Sequence, residues 1–399
     1  MNIAKRVYCR VFQGGFRIVL PILPFRIPKQ LNNIDEIPEL LKNKKIDSVL
    51  LVVDKKVREL GLVSRLEDGL VKADIDCAVY EQETPNPTIK NVETAKDKYL
   101  SAGAKAIIAV GGGSAMDCAK VAGARIVRPN KSVQKMRGII KIILPTPLFI
   151  AVPTTAGTGS EATLAAVITD GEKHHKYPVN DFCLIPDYAV LDPGLTLGLP
   201  PFVTATTGMD ALTHAIEAYI GHSTSRFTRA MSIEAVQLIN TNLEAAVENG
   251  NNVEARAGML RAAFCAGMSF TRSFVGYVHG IAHSLGGKYG TAHGLANAVI
   301  LPVMLREYGK SCEKRLARLA RLGGVVADDV SDADAALQFI TRIEELNAKF
   351  GIPTKFEELK EADIDEMAEH ADKESNPLYP VPKLMDKKEL AAVYRKFIV

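Results

Sequence analysis

The sequence predicts two domains of different kind: an α/β domain built on a parallel sheet (residues 1–199), then an all-α domain (200–399). Three observations carry this. Short apolar runs alternate with helical stretches through the first half. Around Leu199-Pro200-Pro201 the character changes, 3.6-residue periodicity takes over and Val-rich runs become scarce. Finally, 399 residues suffice for two domains, each with its own core.

Taken in order, the N-terminus carries Lys5, Arg6, Arg10, Arg17, Arg26 and Lys29 before the first acid, Asp35. Acid-free, Arg-bearing leaders are also the composition of organelle transit peptides. This one lacks Ser and is interrupted by Gly14, Gly15 and prolines, so an edge hairpin is expected rather than an amphipathic helix. Ser48–Val53 (SVLLVV) is an apolar run bounded by charges, the pattern of a strand buried on both faces. A helical stretch from about Lys55 to Ala73 follows, then a strand at Cys77–Tyr80, a Pro-punctuated loop at Thr84–Pro87 and a helix near Ile89–Ala102. Ala106–Val110 (AIIAV), Phe149–Val152 and Val167–Asp170 supply further strands. This alternation implies βαβ units and a nucleotide-binding type of α/β domain.

In the second half Met209, Leu212, Ile216 and Tyr219 recur at intervals of three and four, an amphipathic helix. Similar patterns run through Met231–Val247, Arg256–Ala266, Arg315–Leu322 and Ala335–Phe350. The acidic run Glu357–Glu374 reads as a solvated helix or helix pair.

Composition excludes several function classes. Hydrophobic residues at 47% and charged residues at 24% rule out disordered, collagenous and coiled-coil chains. With 49 Lys+Arg against 46 Asp+Glu, the net charge of +3 provides no global pull towards nucleic acid or an anionic membrane, and neither is expected as a partner. Six scattered cysteines without a CxxC favour a reducing cytoplasm over a disulfide scaffold. No stretch reaches the ~20 apolar residues of a membrane span.

Two patterns carry chemistry. After AIIAV comes Gly111-Gly112-Gly113-Ser114, opening a helix that contains Asp117. A glycine turn between a buried strand and a helix lets backbone N–H groups approach phosphate, although a tight βα turn asks for glycine too. Three consecutive glycines exceed the needs of a turn, which favours phosphate. Gly157-Thr-Gly-Ser-Glu-Ala162 formally satisfies GxGxxG/A but lies beyond the first βα unit, behind Pro153-Thr154-Thr155, and reads as a hydroxyl-rich loop lining the same cleft. Asp54, ending the strand SVLLVV, reads equally as an acceptor for a ribose 2′-OH or as a helix N-cap.

The second pattern is metal-like. Four of the eight histidines, His214, His279, His283 and His293, fall in one stretch of the helical half. Asp210-x-x-x-His214 and His279-x-x-x-His283 each place two side chains on one flank of a helix, and His293 follows across a glycine-containing turn. A lone Asp-x-x-x-His pair is commonly a surface ion pair; two such spacings plus a third histidine bring a metal site level with that reading. Imidazoles with one carboxylate suit Fe(II) or Zn(II) and leave a position for substrate oxygen, whereas Ca(II) and Mg(II) prefer all-oxygen shells.

The segments GGGSAMD (111–117), PTTAGTGSE (153–161), LIPDYAVLDP (184–193), GMDALTHAIEAY (208–219) and GYVHGIAHSLGGKYGTAHGLANA (276–298) together resemble the iron-containing (group III) alcohol dehydrogenase family from about residue 20 onward. The resemblance implies a dehydroquinate synthase-like architecture: an N-terminal dinucleotide-binding domain, a helical domain and a metal in the cleft between them. It implies metal ligands at Asp210, His214, His279 and His293, with His283 a non-ligand that relays a proton. Asp54 falls on the acid associated with NAD rather than NADP. Gly112, Gly113 and Ser114 fall in the pyrophosphate loop, Asp117 is a further cofactor-binding candidate, and Thr154, Thr155, Thr158, Thr163 and Lys176 fall on positions lining the cofactor cleft. The implied activity is reversible hydride transfer between NAD(H) and a small alcohol or aldehyde, with Fe(II), alternatively Zn(II), in a cytoplasmic homodimer or higher homo-oligomer. A hydroxyacid–oxoacid transhydrogenase and an NAD- and metal-dependent lyase resembling dehydroquinate synthase are the rival readings. A non-catalytic descendant is disfavoured because all four ligand positions are filled. Phe270, Phe274 and Tyr277, just before the histidine pair, line the substrate pocket or belong to the core. Ala165 stands where the family often has Asn, and the first ~17 residues lie outside the family core.

Overall fold

A computed structural model describes residues 1–83, 86–171 and 175–399. The chain forms two compact units: Pro24–Gly198, and a second made of Leu199–Val399 together with Met1–Leu23. The N-terminal segment thus belongs with the helical unit rather than with the α/β unit.

That segment is a helix, α1 (Ile3–Val19), not an edge hairpin. Gly14 and Gly15 each weaken a helix by about 1 kcal/mol, which explains why the sequence alone disfavours it. Tertiary bonds offset that loss. Lys5 Nζ pairs with Asp372 at 2.6 Å, Arg10 donates to the carbonyls of Val381 and Pro382 at 2.8 and 2.9 Å, and Gln13 Nε2 donates to that of Tyr379 at 2.7 Å.

The α/β unit runs β1 (Lys29–Leu31), α2 (Ile37–Asn43), β2 (Ser48–Asp54), α3 (Lys55–Glu59), α4 (Ser64–Lys72), β3 (Asp76–Gln82), α5 (Ile89–Ser101), β4 (Ala106–Gly111), α6 (Gly113–Val127), β5 (Gly138–Ile139), β6 (Leu148–Pro153), β7 (Ala165–Asp170), β8 (His175–Asn180) and β9 (Tyr188–Val190). The helix expected over Lys55–Ala73 is two helices, because Gly61 turns the chain with φ +72° between them. The loop expected at Thr84–Pro87 lies in part, and His174 wholly, outside the described residues.

Six strands form one parallel sheet in the order β1-β9-β6-β4-β2-β3. Its strands are apolar on both sides because both sides are covered. Leu50, Val52, Ile107 and Ala109 face the core beneath α5 and α6, while Val49, Leu51, Val53, Ile108 and Val110 face the core beneath α2 and α4. Register pairs Val53 with Val110 and Gly111 with Pro153, so Asp54, the glycine turn and Thr154 emerge at the same carboxyl edge. That edge, beside the strand where sheet order reverses, is where open α/β sheets receive ligands. β7 and β8 form an antiparallel hairpin with β5 in a second sheet.

The helical unit comprises α1 and α7 (Pro201–Ile220), α8 (Arg226–Glu248), α9 (Val253–Ser273), α10 (Tyr277–Tyr289), α11 (His293–Tyr308), α12 (Glu313–Leu322), α13 (Asp332–Lys349), α14 (Glu361–Ser375) and α15 (Lys387–Tyr394). Helix α7 is not amphipathic as the periodicity suggested: from Gly208 to Ile220 every residue is buried. Gly208 permits this, since a Cβ there would lie 2.3 Å from Leu243 on α8. The acidic run is also more than a solvated helix, because α14 buries Ile364, Met367, Ala368, Ala371 and Ser375. Gly280 of α10 lets Ser375 approach, its absent Cβ falling 2.3 Å from the Ser375 hydroxyl oxygen. No helix among the described residues is long and apolar enough to cross a membrane.

Candidate active site

Asp210 and His214 lie one turn apart on the buried helix α7, only 1% and 4% exposed, which excludes an ordinary surface ion pair. Helix α10 brings His279, and the first residue of α11 brings His293. One donor atom from each of the four lies within 4.8 Å of all the others. Oδ1 of Asp210 is 3.9 Å from His214 Nδ1, 4.0 Å from His279 Nε2 and 3.6 Å from His293 Nε2. Donors bound at about 2.1 Å to one tetrahedral ion sit roughly 3.4 Å apart. The set therefore fits a divalent ion of the Zn(II) or Fe(II) type with little adjustment.

Two features prepare the donors. Gly294 follows His293, and a Cβ there would lie 2.6 Å from the carbonyl oxygen of Thr206 and 3.5 Å from Cβ of Asp210. Only glycine lets α11 start this close to the backbone of α7. The second feature is Glu217, one turn below His214 and fully buried. It accepts hydrogen bonds from the Gly276 and Val278 N–H groups at 2.9 Å each and from His279 Nδ1 at 2.6 Å. Donation from Nδ1–H fixes the tautomer of His279 and leaves its Nε2 lone pair for the donor group. Burial drives the His279 pKa well below its ordinary value, with the neighbouring imidazoles adding to this, and it pushes the Glu217 carboxyl up to about 7. Asn297, four residues beyond His293 on α11, donates from Nδ2 to Asp210 Oδ1 at 2.6 Å and sits 3.2 and 3.1 Å from Nε2 of His279 and His293.

His283 stands beside this group, not within it. Its ring stacks on that of His293 with centroids 5.3 Å apart, and its Nδ1 lies 2.6 Å from Glu374 Oε1. Glu374, at the end of the acidic run, also accepts from the Tyr379 hydroxyl at 2.8 Å. Of the three aromatics before the histidine pair, Phe270 stacks on the His214 ring at 4.2 Å. Phe274 packs against Phe16 of α1. Tyr277 is core, its hydroxyl bonded to Asn376 and Met385.

In the α/β unit Gly111 ends β4 at φ +156°, and a Cβ there would lie 2.9 Å from that of Ala115 and 3.2 Å from that of Asp54. Gly112 and Gly113 start α6, with Thr155 and Thr158 packed over them. Asp54 Oδ1 caps α3 by accepting from the Lys56 N–H at 2.9 Å, so the N-cap role is real. It sits beside the glycine turn all the same. Ser114 Oγ accepts from the Asn86 N–H at 3.1 Å, and Thr154 N–H donates to the Gly111 carbonyl at 3.0 Å. Lys176 is half-buried on β8, and burial lowers its pKa.

Two of the cofactor-side candidates, Asp117 and Thr163, lie in a hydrogen-bonded cluster around Lys120. Asp117 is enclosed: its oxygens accept from Ser160 Oγ and the Val167 N–H, both at 2.9 Å. Thr163, 2% exposed, is held at 3.0 Å by Lys120 Nζ. Lys120 also donates to Ser160 Oγ and to the carbonyls of Thr163 and Ala165. Both side chains thereby clamp the GTGSE loop to α6.

A family profile described as iron-containing alcohol dehydrogenase matches residues 24–193, and one for the C-terminal part of the same family matches residues 204–398. The chain belongs to the iron-containing alcohol dehydrogenase family. The 1,3-propanediol dehydrogenase of Citrobacter freundii is 38% identical over 385 residues, 96% of this chain and 98% of that one. The NAD-dependent methanol dehydrogenase of Bacillus methanolicus is 36% identical over 341 residues, 85% and 89% of the two chains. A crystal structure of 1,3-propanediol oxidoreductase superposes with a TM-score of 0.88 at 36% identity, covering 93% of this chain and 98% of that one. As a member of this family, the chain is an NAD-dependent, metal-using oxidoreductase of alcohols and aldehydes.

Glu217, Gly294, Asn297 and Glu374 escaped the sequence reading. Glu217 and Asn297 carry a faint local signal, lying three and four residues beyond His214 and His293 on the same helix faces. For Glu374, 91 residues from His283, no local pattern exists.

Proposed function

We propose that this iron-containing alcohol dehydrogenase interconverts a short, unbranched primary alcohol or diol and its aldehyde. Asp210, His214, His279 and His293 hold the divalent cation, and the glycine turn after β4 holds the pyrophosphate of NAD(H). The observation that carries the reading is the buried four-donor group, three imidazoles and one carboxylate. When bound, a cation there polarises the substrate oxygen as a Lewis acid while the nicotinamide exchanges hydride with the carbon.

The chain's own residues supply the rest. Glu217 and Asn297 hold His279 and Asp210 in place. Phe270, stacked on His214, presents an apolar wall that suits a small substrate. His283 moves the hydroxyl proton, its ring oriented by Glu374 Oε1 2.6 Å from Nδ1. The relatives' names support a short substrate, being dehydrogenases of 1,3-propanediol and methanol. Six free thiols support a reducing compartment.

The test is NADH consumption by anaerobically Fe(II)-loaded and, in parallel, Zn(II)-loaded protein against short aldehydes from formaldehyde to butanal, with 3-hydroxypropanal included. Sustained consumption that peaks at one to four carbons supports the proposal. Bound metal and bound NADH without consumption would refute it and favour transhydrogenation between a hydroxyacid and an oxoacid.

A further inference from the structure

Helix α1 has two faces of different fate. Cys9, Gln13, Phe16 and Leu20 recur at intervals of three and four and face the helical unit, where Gln13 and Phe16 make their bonds and ring contact. On the opposite side Ile3, Val7, Val11 and Ile18 form a second stripe, and Ile22 extends it past the helix end. Their exposures are 82%, 56%, 68%, 76% and 80%, values expected for lysines rather than isoleucines. Single exposed apolar residues are ordinary, but a continuous row along a helix of about 25 Å is not. Gly14 and Gly15 sit in the same face, with open space where their side chains would be.

Charge decides what covers this stripe. The first 34 residues contain six cations and no acid. Arg6 and Arg17 border one side of the stripe and are exposed, while Lys5 is occupied by Asp372. A second copy packed face to face would bring like charges together. An anionic lipid surface complements them, and an apolar stripe bordered by arginines is the form of helices that lie in a bilayer interface. We infer that α1 docks the protein on anionic membrane surfaces, its outward stripe in the headgroup–acyl boundary and Arg6 and Arg17 at the phosphates. The near-neutral total charge conceals this because it averages a cationic end with an acidic remainder.

The test is co-sedimentation of the full chain with vesicles of phosphatidylcholine containing about 30 mol% phosphatidylserine, beside pure phosphatidylcholine vesicles. The full chain is expected to sediment with the anionic vesicles and to be released by salt. R6Q/R17Q removes two cations, each worth roughly fivefold in binding, so its affinity should fall roughly 25-fold. V11N/I18N should abolish binding with unchanged circular dichroism, since both residues are exposed and off the docked face. Gly14→Leu should strengthen it. Failure of the full chain to sediment, or equal sedimentation of V11N/I18N, would overturn the inference. So would a drop in oligomeric state of V11N/I18N by sedimentation velocity without vesicle binding by the parent, which would assign the stripe to a second copy.

Discussion

Replacing Gly294 with alanine tests one contact on which the four-donor group depends. The added Cβ would lie 2.6 Å from the Thr206 carbonyl oxygen and 3.0 Å from its carbon. Both are backbone atoms within α7, so neither can rotate aside. Ordinary contact begins at 3.4 Å, so the start of α11 must retreat by about 0.8 Å. His293 is the adjacent residue and travels with it. Its Nε2, now 3.6 Å from Asp210 Oδ1, is carried beyond 4 Å, whereas a metal site tolerates only about 0.2 Å in each bond. The expected result is a loss of at least roughly tenfold in Zn(II) affinity, measured by competition with a chromophoric chelator. The fold should survive, because overpacking one methyl costs about 1–3 kcal/mol, seen as a lowered Tm. A variant with a lowered Tm but wild-type metal affinity would refute the reasoning, since α11 would have yielded without moving His293.

Three further outcomes are expected. Glutamine at position 217 keeps only one acceptor oxygen, so one orientation strands the Val278 N–H and the other strands Gly276 and His279. Glu217→Gln should therefore cost about 1–3 kcal/mol in denaturant unfolding and 10- to 100-fold (order of magnitude) in metal affinity; unaltered affinity would mean that packing alone orients His279. Burial pushes the Glu161 carboxyl from 4.5 up to about 7, so the folded chain keeps a proton that the unfolded chain releases. Stability from this group is complete below pH 4.5 and lost as pH rises through 7, on the order of 3 kcal/mol. Glu161→Gln should flatten the fall in Tm across that window, and parallel profiles of the two proteins would show the shift to be absent. His283→Ala should slow turnover roughly 100-fold with metal content unchanged; loss of bound metal would instead make His283 a ligand.

Much of this was readable from residues alone. The apolar strands, the glycine turn and the Asp210–His214 and His279–His283 spacings are local patterns, set by the periods of strand and helix within a few residues. The sequence by itself thus determined an α/β half, a helical half and a short set of metal-binding candidates. Spacing alone did not separate ligand from neighbour, though the family resemblance did: His279 joins the donor group while His283, one turn on, turns to Glu374. Nor did it place Asp117 and Thr163, which belong to the clamp around Lys120. What tertiary structure decided are the contacts made between distant segments. Helix α1 exists against its own glycines because residues 372–382 bond to it. Burial of α7 from Gly208 to Ile220 places Asp210 among three imidazoles and not at a surface. Glu217 reaches His279 across 62 positions. Such pairings depend on how helices approach one another, often through a single missing Cβ as at Gly294, and a hydrophobic period measured along the chain carries no record of that approach.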